Sequence, residues 1–315
     1  GTGTADATMT FSGTLANVNA ALNGLVYRGT LNFNGADTLS LLVSDLGDTG
    51  AGGTLTASQT VGLTVTAVND APALAVPGAQ TVAEDTALVF SAAGGNAITV
   101  GDADAGASPV QLTLSVASGT LTLSGTAGLS FTSGTGTGDA TMTFSGAAAA
   151  INAALDGLAF APTANFNGAA AIAVTTSDLG ATGLGGPLSA SGSVAVTVNP
   201  VNDAPTQSLP GAQATAEDTP LVLSVAGGNA LSVADLDAAT LQVSLTGTSG
   251  RLTLAATAGL SFSVGTGTAD TTMTFSGTAA AINAALDGLS FAPLPDFNGA
   301  ASIAVMTSDL GATGA

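Results

Sequence analysis

The chain has 315 residues, of which 46% are hydrophobic and only 4% aromatic, and it contains 43 Gly but no Cys, His or Trp. Its 21 acidic residues face two Arg and no Lys, so the net charge is −19. This charge excludes nucleic acid and anionic membrane surfaces as partners, because both require a basic surface. No apolar run reaches the roughly 18–20 residues of a membrane span, so we expect no membrane insertion in this segment.

The composition also argues against an enzyme. Without His, Cys or Lys, the usual bases that activate a Ser nucleophile are missing. Paired carboxylates could hydrolyse a glycoside, but an aromatic platform for sugar is missing, since Tyr27 is the only Tyr. We therefore expect no catalytic residues and no enzymatic activity.

The sequence repeats itself. Residues 1–27 return in nearly the same form as residues 134–160 and again as residues 265–291. A period of about 130 residues is domain-sized and unlike the roughly 20–50 residues of solenoid repeats. A unit of this size can bury its own core, so the chain is predicted to be a tandem array of similar domains.

The domain boundaries are predicted at two similar linkers, Ala-Val-Asn-Asp-Ala-Pro at 67–72 and Pro-Val-Asn-Asp-Ala-Pro at 200–205. Each linker follows a strand-like run and ends in Pro, which stops a strand. We expect the C-terminal part of one repeat at 1–70, a complete repeat at 71–202, and a repeat lacking its last strand at 203–315; we call these the first, second and third repeats. Because the chain begins and ends within a repeat, we expect it to be a stretch of a longer protein.

Most of the second repeat alternates apolar and polar residues, which predicts about nine short strands. Phe11, Phe144 and Phe275 occupy matching positions and are predicted core residues. The clearest alternation covers residues 110–116, 120–123, 140–144, 171–175 and 193–198.

One segment of each repeat has helical periodicity instead. In residues 145–157, Ile151, Leu155 and Leu158 follow a period of 3.6, with Ser145 as the expected cap and Gly157 as the expected end. The fold class is thus predicted as all-β, with tandem β-sandwich domains that each carry one short helical insertion. A parallel β-helix is the alternative, which the single helix and the proline linkers disfavour. The same stripe recurs at Val18, Leu22 and Leu25, and at Ile282, Leu286 and Leu289.

Two recurrent turns need no special chemistry. The Asn-Gly pairs that end at Gly35, Gly168 and Gly299 are predicted hairpin turns. Asp6, Asp139 and Asp270 each follow a Gly-Thr-Gly-Thr segment. We interpret this as another hairpin turn, because a calcium-binding nonapeptide roll needs consecutive copies of its motif.

Other acidic residues recur at fixed places that could bind a cation. Asp102 with Asp104, and Asp235 with Asp237, form Asp-x-Asp pairs whose two side chains point to the same side of an extended chain. Calcium takes six to eight oxygens from carboxylates, amides and carbonyls on turns. Solvated turns without a metal are the alternative, since Asp is common in turns.

The motifs follow one another in a fixed order: the Asn-Asp-Ala-Pro linker, Ala-Glu-Asp-Thr, the Asp-x-Asp pair, an Asn-Phe-Asn-Gly turn or its Asp-Phe-Asn-Gly variant, and Ser-Asp-Leu-Gly. Over the whole chain, this order resembles the cadherin-like tandem repeats of giant bacterial surface proteins, including adhesins secreted by type I systems. The resemblance implies Ig-like or cadherin-like sandwiches with calcium between successive domains. It implies ligands from an early upstream Glu, the linker, and the downstream Asp-x-Asp pair and late Asp.

Carried over to this chain, the resemblance implies one ligand set at each linker. Both linkers depart from the cadherin pattern, since Ala67 and Pro200 stand where cadherins have Asp, and the mid-domain Asp-Arg-Glu is missing. We therefore expect about one or two ions at each junction. The set at 199–203 is Glu84, Asn202, Asp203, Asp235, Asp237 and Asp309. The set at 67–70 is Asn69, Asp70, Asp102, Asp104 and Asp178, with its upstream Glu before residue 1.

The resemblance implies an extracellular, secreted protein of the cell surface. The expected function is a repetitive spacer or stalk of a large bacterial surface adhesin, made rigid by calcium, with the neighbouring repeats of the same chain as its partners. The alternative is a structural polymer, such as an extracellular filament, sheath or surface layer, in which identical chains are the partners.

Overall fold

The structure, a computed structural model, describes residues 1–47, 50–180 and 183–311. It divides into two compact units. One unit contains Gly1–Gly78, Val89–Phe160 and Ala171–Val194, and the other contains Ala79–Leu88, Ala161–Ala170 and the chain from Ala195 onward. This division differs from the predicted repeat boundaries, which remain predictions. Each unit contains one linker together with the described ligands predicted for it.

The elements recur from repeat to repeat. The first repeat contains α1 (Leu15–Leu22), β1 (Gly35–Ser44) and β2 (Thr56–Val65). The second contains β3 (Ala73–Ala75), β4 (Gln80–Ala83), β5 (Leu88–Phe90), β6 (Thr99–Gly101), β7 (Val110–Val116), β8 (Gly119–Thr122), β9 (Ser130–Ser133), β10 (Thr141–Gly146), α2 (Ala148–Leu155), β11 (Leu158–Pro162), β12 (Gly168–Ser177) and β13 (Ser189–Asn199). The third contains β14 (Thr206–Ser208), β15 (Leu221–Leu223), β16 (Ser232–Ala234), β17 (Leu241–Gly247), β18 (Gly250–Thr253), β19 (Ser261–Val264), β20 (Thr272–Gly277), α3 (Ala279–Leu286), β21 (Leu289–Pro293) and β22 (Ile303–Ser308).

The strands form sheets in the same order in the second and third repeats. The second repeat has a larger sheet in the order β4-β13-β12-β7-β10-β9, a smaller sheet β5-β11-β8, and the pair β3-β6. The third repeat has the corresponding sheets β19-β20-β17-β22, β15-β21-β18 and β14-β16. In the first repeat, β1 pairs antiparallel with β2 along ten residues of each strand.

The core follows from the alternation read in the sequence. Along β7, every second side chain is buried, and Gln111, Thr113 and Ser115 lie on the other face. The buried Leu112 lies opposite the buried Phe144 of β10, so the two side chains are neighbours on the inner face of the sheet. The predicted all-β sandwich with one short helix in each repeat is confirmed.

The helix of the second repeat is close to its prediction. Ile151 and Leu155 of α2 are fully buried, as expected from the stripe. The predicted cap is wrong, because Ser145 lies within β10 and the residue before α2 is Ala147, which forms no capping side-chain bond. Gly157 does end the helix, since its φ of 106° favours glycine.

One of the two predicted turns is a hairpin and the other is not. Asp139 Oδ2 accepts hydrogen bonds from the N–H groups of Thr135 (2.8 Å) and Gly136 (2.7 Å), which stabilises the loop between the antiparallel strands β9 and β10. The prediction of a hairpin at the Asn-Gly pair is wrong, because β11 and β12, the strands on either side of it, belong to different sheets. Gly168, with a φ of 127°, instead lies where the chain passes from one sheet to the other.

The first repeat differs from the others in its burial. Phe144 and Phe275 are fully buried, as predicted, but Phe11 is 45% exposed, so its predicted core role is wrong. Helix α1 buries no residue. The reason is that the described part of this repeat contains a helix and one strand pair, without a second sheet to cover them.

Candidate metal centres at the two linkers

At the second linker, Glu84 contacts the chain that joins the second and third repeats. Glu84 follows β4 and is only 2% exposed. Its Oε1 accepts a hydrogen bond from the N–H of Val201 (2.6 Å), and its Oε2 accepts one from Nδ2 of Asn167 (3.4 Å). The Glu84 N–H also donates to the Asn199 carbonyl (2.9 Å), which fixes the residue beside the linker.

The Asp-x-Asp pair of the third repeat also contacts this linker. Oδ1 of Asp235 accepts hydrogen bonds from the N–H groups of Asp237 (2.9 Å) and Ala238 (2.6 Å), which shapes the turn after β16. Asp237 Oδ2 accepts one from the N–H of Asp203 (2.7 Å). Three of the predicted ligands therefore lie together.

These carboxylates leave oxygen atoms without partners. Oδ2 of Asp203 and Oδ2 of Asp235 are buried and accept no hydrogen bond. Burial raises the pKa of Asp203, and the charges of Asp237, Asp85, Glu84 and Asp235 raise it further. The ionised form of Asp203 is thus disfavoured here, and a bound cation would relieve both the burial and the repulsion.

The late Asp of the third repeat also contacts this linker. The side-chain amide of Asn202 donates a short hydrogen bond to Oδ2 of Asp309. Oδ1 of Asp309 accepts one from the N–H of Gly311 (3.0 Å). The bond from Asn202, and then that from Gly311, lower the pKa of Asp309, so this carboxylate stays ionised.

The first linker is built in the same way but is more buried. Nδ2 of Asn69 donates to Oδ2 of Asp178 (2.6 Å) and to the carbonyl of Gly186 (2.9 Å). Asn69 and Asp178 are 6% and 1% exposed. Burial alone would raise the pKa of Asp178, but hydrogen bonds from Leu188, Gly180 and Asn69 together hold it below its usual value.

The other predicted ligands of the first linker form a second contact. The N–H of Asp70 donates to Oδ2 of Asp104. Oδ1 of Asp102 accepts hydrogen bonds from the N–H groups of Asp104 (2.8 Å) and Ala105 (2.7 Å), while its Oδ2 is buried without a partner. A cleft of about 260 Å³ lies against Asp70 and Asp104.

Both linkers carry oxygen donors of the kind that a hard divalent cation prefers. Each linker has at least one buried carboxylate oxygen that accepts no hydrogen bond, and such an atom loses its water without compensation. Within the described ranges, no three acidic side chains stand close enough to hold a metal ion by themselves. Amide and carbonyl oxygens of the linkers would have to complete the coordination shell, as is usual for calcium.

The sequence analysis missed two residues near Glu84. Asp85 adds its charge to the group around Asp203, and its Oδ1 accepts a hydrogen bond from the N–H of Asn165 (3.0 Å). Asn167 donates to Glu84. Both residues belong to recurrent motifs, Glu-Asp-Thr and Asn-Phe-Asn-Gly, and that recurrence was the available signal.

Asp178→Ala should destabilise the protein more than Asp45→Ala, its matched control. Oδ1 of Asp45 accepts hydrogen bonds from Gly47 and Leu55 (2.9 Å each) in the same turn, but Asp45 is exposed. A buried polar group left without a partner costs about 1–3 kcal/mol, so Asp178→Ala should lower the free energy of unfolding by about that amount or more. Water can replace the hydrogen bonds of the exposed Asp45, so urea unfolding should show a smaller decrease in the free energy of unfolding for Asp45→Ala. Equal decreases for the two variants would contradict this explanation.

The comparisons with known proteins establish no family for the chain. No protein-family model and no curated protein matches it. Among the described residues, the three helices are all too short to cross a membrane.

Several solved structures have a distant likeness to the chain. The C-terminal domain of the Streptococcus agalactiae AgI/II polypeptide BspA is 9% identical, with 75% of this chain and 89% of that chain covered and a TM-score of 0.19. Domains 1–6 of the surface layer protein SbsC are 14% identical, with 75% of this chain and 28% of that chain covered and a TM-score of 0.19. A Salmonella alpha-2-macroglobulin mutant is 13% identical, with 86% and 18% covered and a TM-score of 0.22. Likenesses at these scores assign neither fold nor function to this chain.

Proposed function

We propose that the chain is part of an extracellular spacer or stalk of a large bacterial surface adhesin, in which calcium joins successive repeats. The observation that carries this proposal is the placement of unpartnered, buried carboxylate oxygens at both linkers, on Asp102, Asp203 and Asp235. The repeated sequence supplies the reach of a spacer, and the resemblance to cadherin-like repeats supplies the cell-surface setting.

Each linker residue has a specific part in this proposal. At the second linker, a bound ion would draw carboxylate oxygens of Glu84, Asp203 and the Asp235–Asp237 pair closer together than they stand among the described residues, and Asn202 would supply an amide oxygen. The ion would contribute positive charge and a shared coordination shell, which stabilise the linker relative to a flexible chain. The backbone bonds already made by Glu84 and Asp237 hold the linker near these carboxylates without an ion.

The charge of the chain fits an environment that supplies the cation. Exposed carboxylates can be screened by salt, but buried ones are screened much less. With a net charge of −19 and only two cationic side chains, the chain is poor in counter-charge for the linker carboxylates. Extracellular calcium modules need dissociation constants of only about 0.1–1 mM, and sites that contain backbone and amide ligands are suited to that range.

Removal of calcium should loosen the linkers before it unfolds the repeats. We expect small-angle X-ray scattering to give a broader distance distribution in chelator than in millimolar calcium, while circular dichroism keeps its β signal. The physical reason is that the carboxylates at each linker repel one another once the ion is removed. Magnesium at equal ionic strength is the control for screening, and an unchanged profile would mean that the carboxylates are only solvated.

The alternative function is a structural polymer in which identical chains pack into a filament, sheath or surface layer. Its support is the repetition of nearly identical domain-sized segments, since similar units can pack against one another in regular arrays. Electron microscopy of the native assembly distinguishes the two functions: separate stalks indicate the adhesin, and regular lateral contacts indicate the polymer.

A further inference from the structure

The second repeat carries one asparagine that is followed by glycine. This residue is Asn167, in the turn that leads from β11 to β12, and both Asn167 and Gly168 are exposed. The side chain of an Asn can react with the main-chain nitrogen of the next residue, and Gly allows the closest approach because it has no Cβ. An exposed Asn-Gly pair is therefore the arrangement in which a side-chain amide is converted to a carboxyl group without an enzyme.

The surroundings of Gly168 leave room for this reaction. Its φ of 127° lies in the region that favours glycine. A Cβ built at Gly168 would, apart from its chain neighbours, come within 4 Å of one described atom, Cζ of Phe166 at 3.9 Å. The backbone at this point of the turn is thus not closely packed.

The turn places the Asn167 amide beside a buried carboxylate. The N–H of Asn165 donates to Oδ1 of Asp85 (3.0 Å), which holds the turn next to the end of β4. Nδ2 of Asn167 donates to Oε2 of Glu84 (3.4 Å), and Glu84 is 2% exposed. The amino group that deamidation removes is therefore the group that faces Glu84.

Asn152 shows how the fold protects an amide elsewhere in the second repeat. Its Oδ1 accepts a hydrogen bond from the N–H of Val100 (2.9 Å), and its Nδ2 donates to the Val100 carbonyl (2.8 Å). The next residue is Ala153, which carries a Cβ. Because both ends of the amide are bonded and the following residue is not Gly, Asn152 is an unreactive control within the same repeat.

We propose that Asn167 is a deamidation site, at which the chain gains a carboxylate beside Glu84 and so changes the charge of the second linker. In the first step, the main-chain nitrogen of Gly168 bonds to Cγ of Asn167 and the bond from Cγ to Nδ2 breaks. Ammonia leaves with the proton from the Gly168 nitrogen. Water then opens the succinimide ring, with its hydroxyl group bonding to a ring carbonyl carbon and its hydrogen to the Gly168 nitrogen. The product is aspartate or isoaspartate, and either carries a carboxylate.

The product changes the linker in two ways. It removes the hydrogen-bond donor that faces Glu84 and adds a like charge there, which is unfavourable beside a buried carboxylate. Near a bound cation the added charge is favourable instead, because calcium affinity depends on the number of charged ligands. The effect on calcium rests on the proposed function, whereas the modification itself does not. We expect the modified chain to be less stable in chelator and to bind calcium more tightly at the second linker.

The first test follows the modification on the whole folded chain in chelator. The chain is kept in mildly alkaline buffer, which speeds loss of the Gly168 proton, for as long as the same chain unfolded in urea needs to convert Asn167. Peptide mapping by mass spectrometry should show a carboxyl group at Asn167 and an unchanged amide at Asn152. Asn167→Gln, whose longer side chain does not form the five-membered ring, should keep its amide. A folded chain in which Asn167 stays unchanged would overturn the proposal.

The second test introduces the charge of the product directly. Asn167→Asp should lower the Tm in chelator and should lower the calcium Kd at the second linker by about 3–10-fold. Asn23→Asp adds the same charge at an exposed Asn-Gly pair whose equivalents in the other repeats are Asp156 and Asp287, and it should match the wild type in both measurements.

The two tests separate this proposal from the proposed function. An Asn167→Asp chain with the Tm and the Kd of the wild type would overturn the effect on the linker. If neither the wild type nor Asn167→Asp takes up calcium, but the variant is less stable in chelator, the calcium function fails and the deamidation site with its effect on the linker stands.

Discussion

Replacement of Leu155 by Ala should lower the free energy of unfolding by about 2–5 kcal/mol, as expected for a large-to-small change in a well-packed core. Leu155 is fully buried where α2 packs on the sheets of the second repeat. The loss has two parts, the transfer of the removed methyl groups from water and the cavity that remains. Thermal or urea unfolding followed by circular dichroism measures it.

The chain provides matched controls for this substitution. Leu286 occupies the same position in α3 and is also fully buried, so Leu286→Ala should cost a similar amount. Leu22 occupies that position in α1, where it is only half-buried in a helix with no buried residue. Leu22→Ala should cost clearly less, and a loss as large as that of Leu155→Ala would contradict the burial seen here.

The sequence predicted the parts of the fold that depend on local patterning. The alternation of residues 110–116 gave β7 with its bounds, because a strand with one buried face must alternate. The stripe of Ile151 and Leu155 located α2 for the same kind of reason. The turn at Gly168 was misread because an Asn-Gly pair favours a positive φ without specifying which sheet the next strand joins.

Burial in the first repeat could not be predicted from its sequence. Residues 1–27 are nearly identical to residues 134–160, yet Phe11 is exposed and Phe144 is buried. The difference lies in what covers the residue, which a local pattern does not contain. The same limit applies to the linkers, where motif order suggested which residues meet, but the contacts of Asp85 and Asn167 with this group depend on the tertiary structure.

The paired substitution Asp235→Asn with Asp237→Asn should abolish calcium binding at the second linker and leave the fold intact. Asn keeps an oxygen that can accept the hydrogen bonds now made to Asp235 from Asp237 and Ala238 (2.9 and 2.6 Å) and to Asp237 from Asp203 (2.7 Å). The two substitutions remove two negative charges. One of these charges belongs to the carboxylate of Asp235, whose buried Oδ2 accepts no hydrogen bond. A calcium site depends strongly on the number of charged ligands.

Calorimetric titration of the whole chain with calcium measures this loss. The second linker should be the tighter site, because Glu84 of the upstream repeat lies within the chain, so the variant should lose the stronger binding component. Asp102→Asn with Asp104→Asn should instead remove the weaker component at the first linker. Asp270→Asn with Asp287→Asn removes the same charge from two turns away from the linker residues, and this control should bind like the wild type. Calcium uptake by the Asp235–Asp237 variant equal to that of the wild type would refute the assignment of this junction as a metal centre.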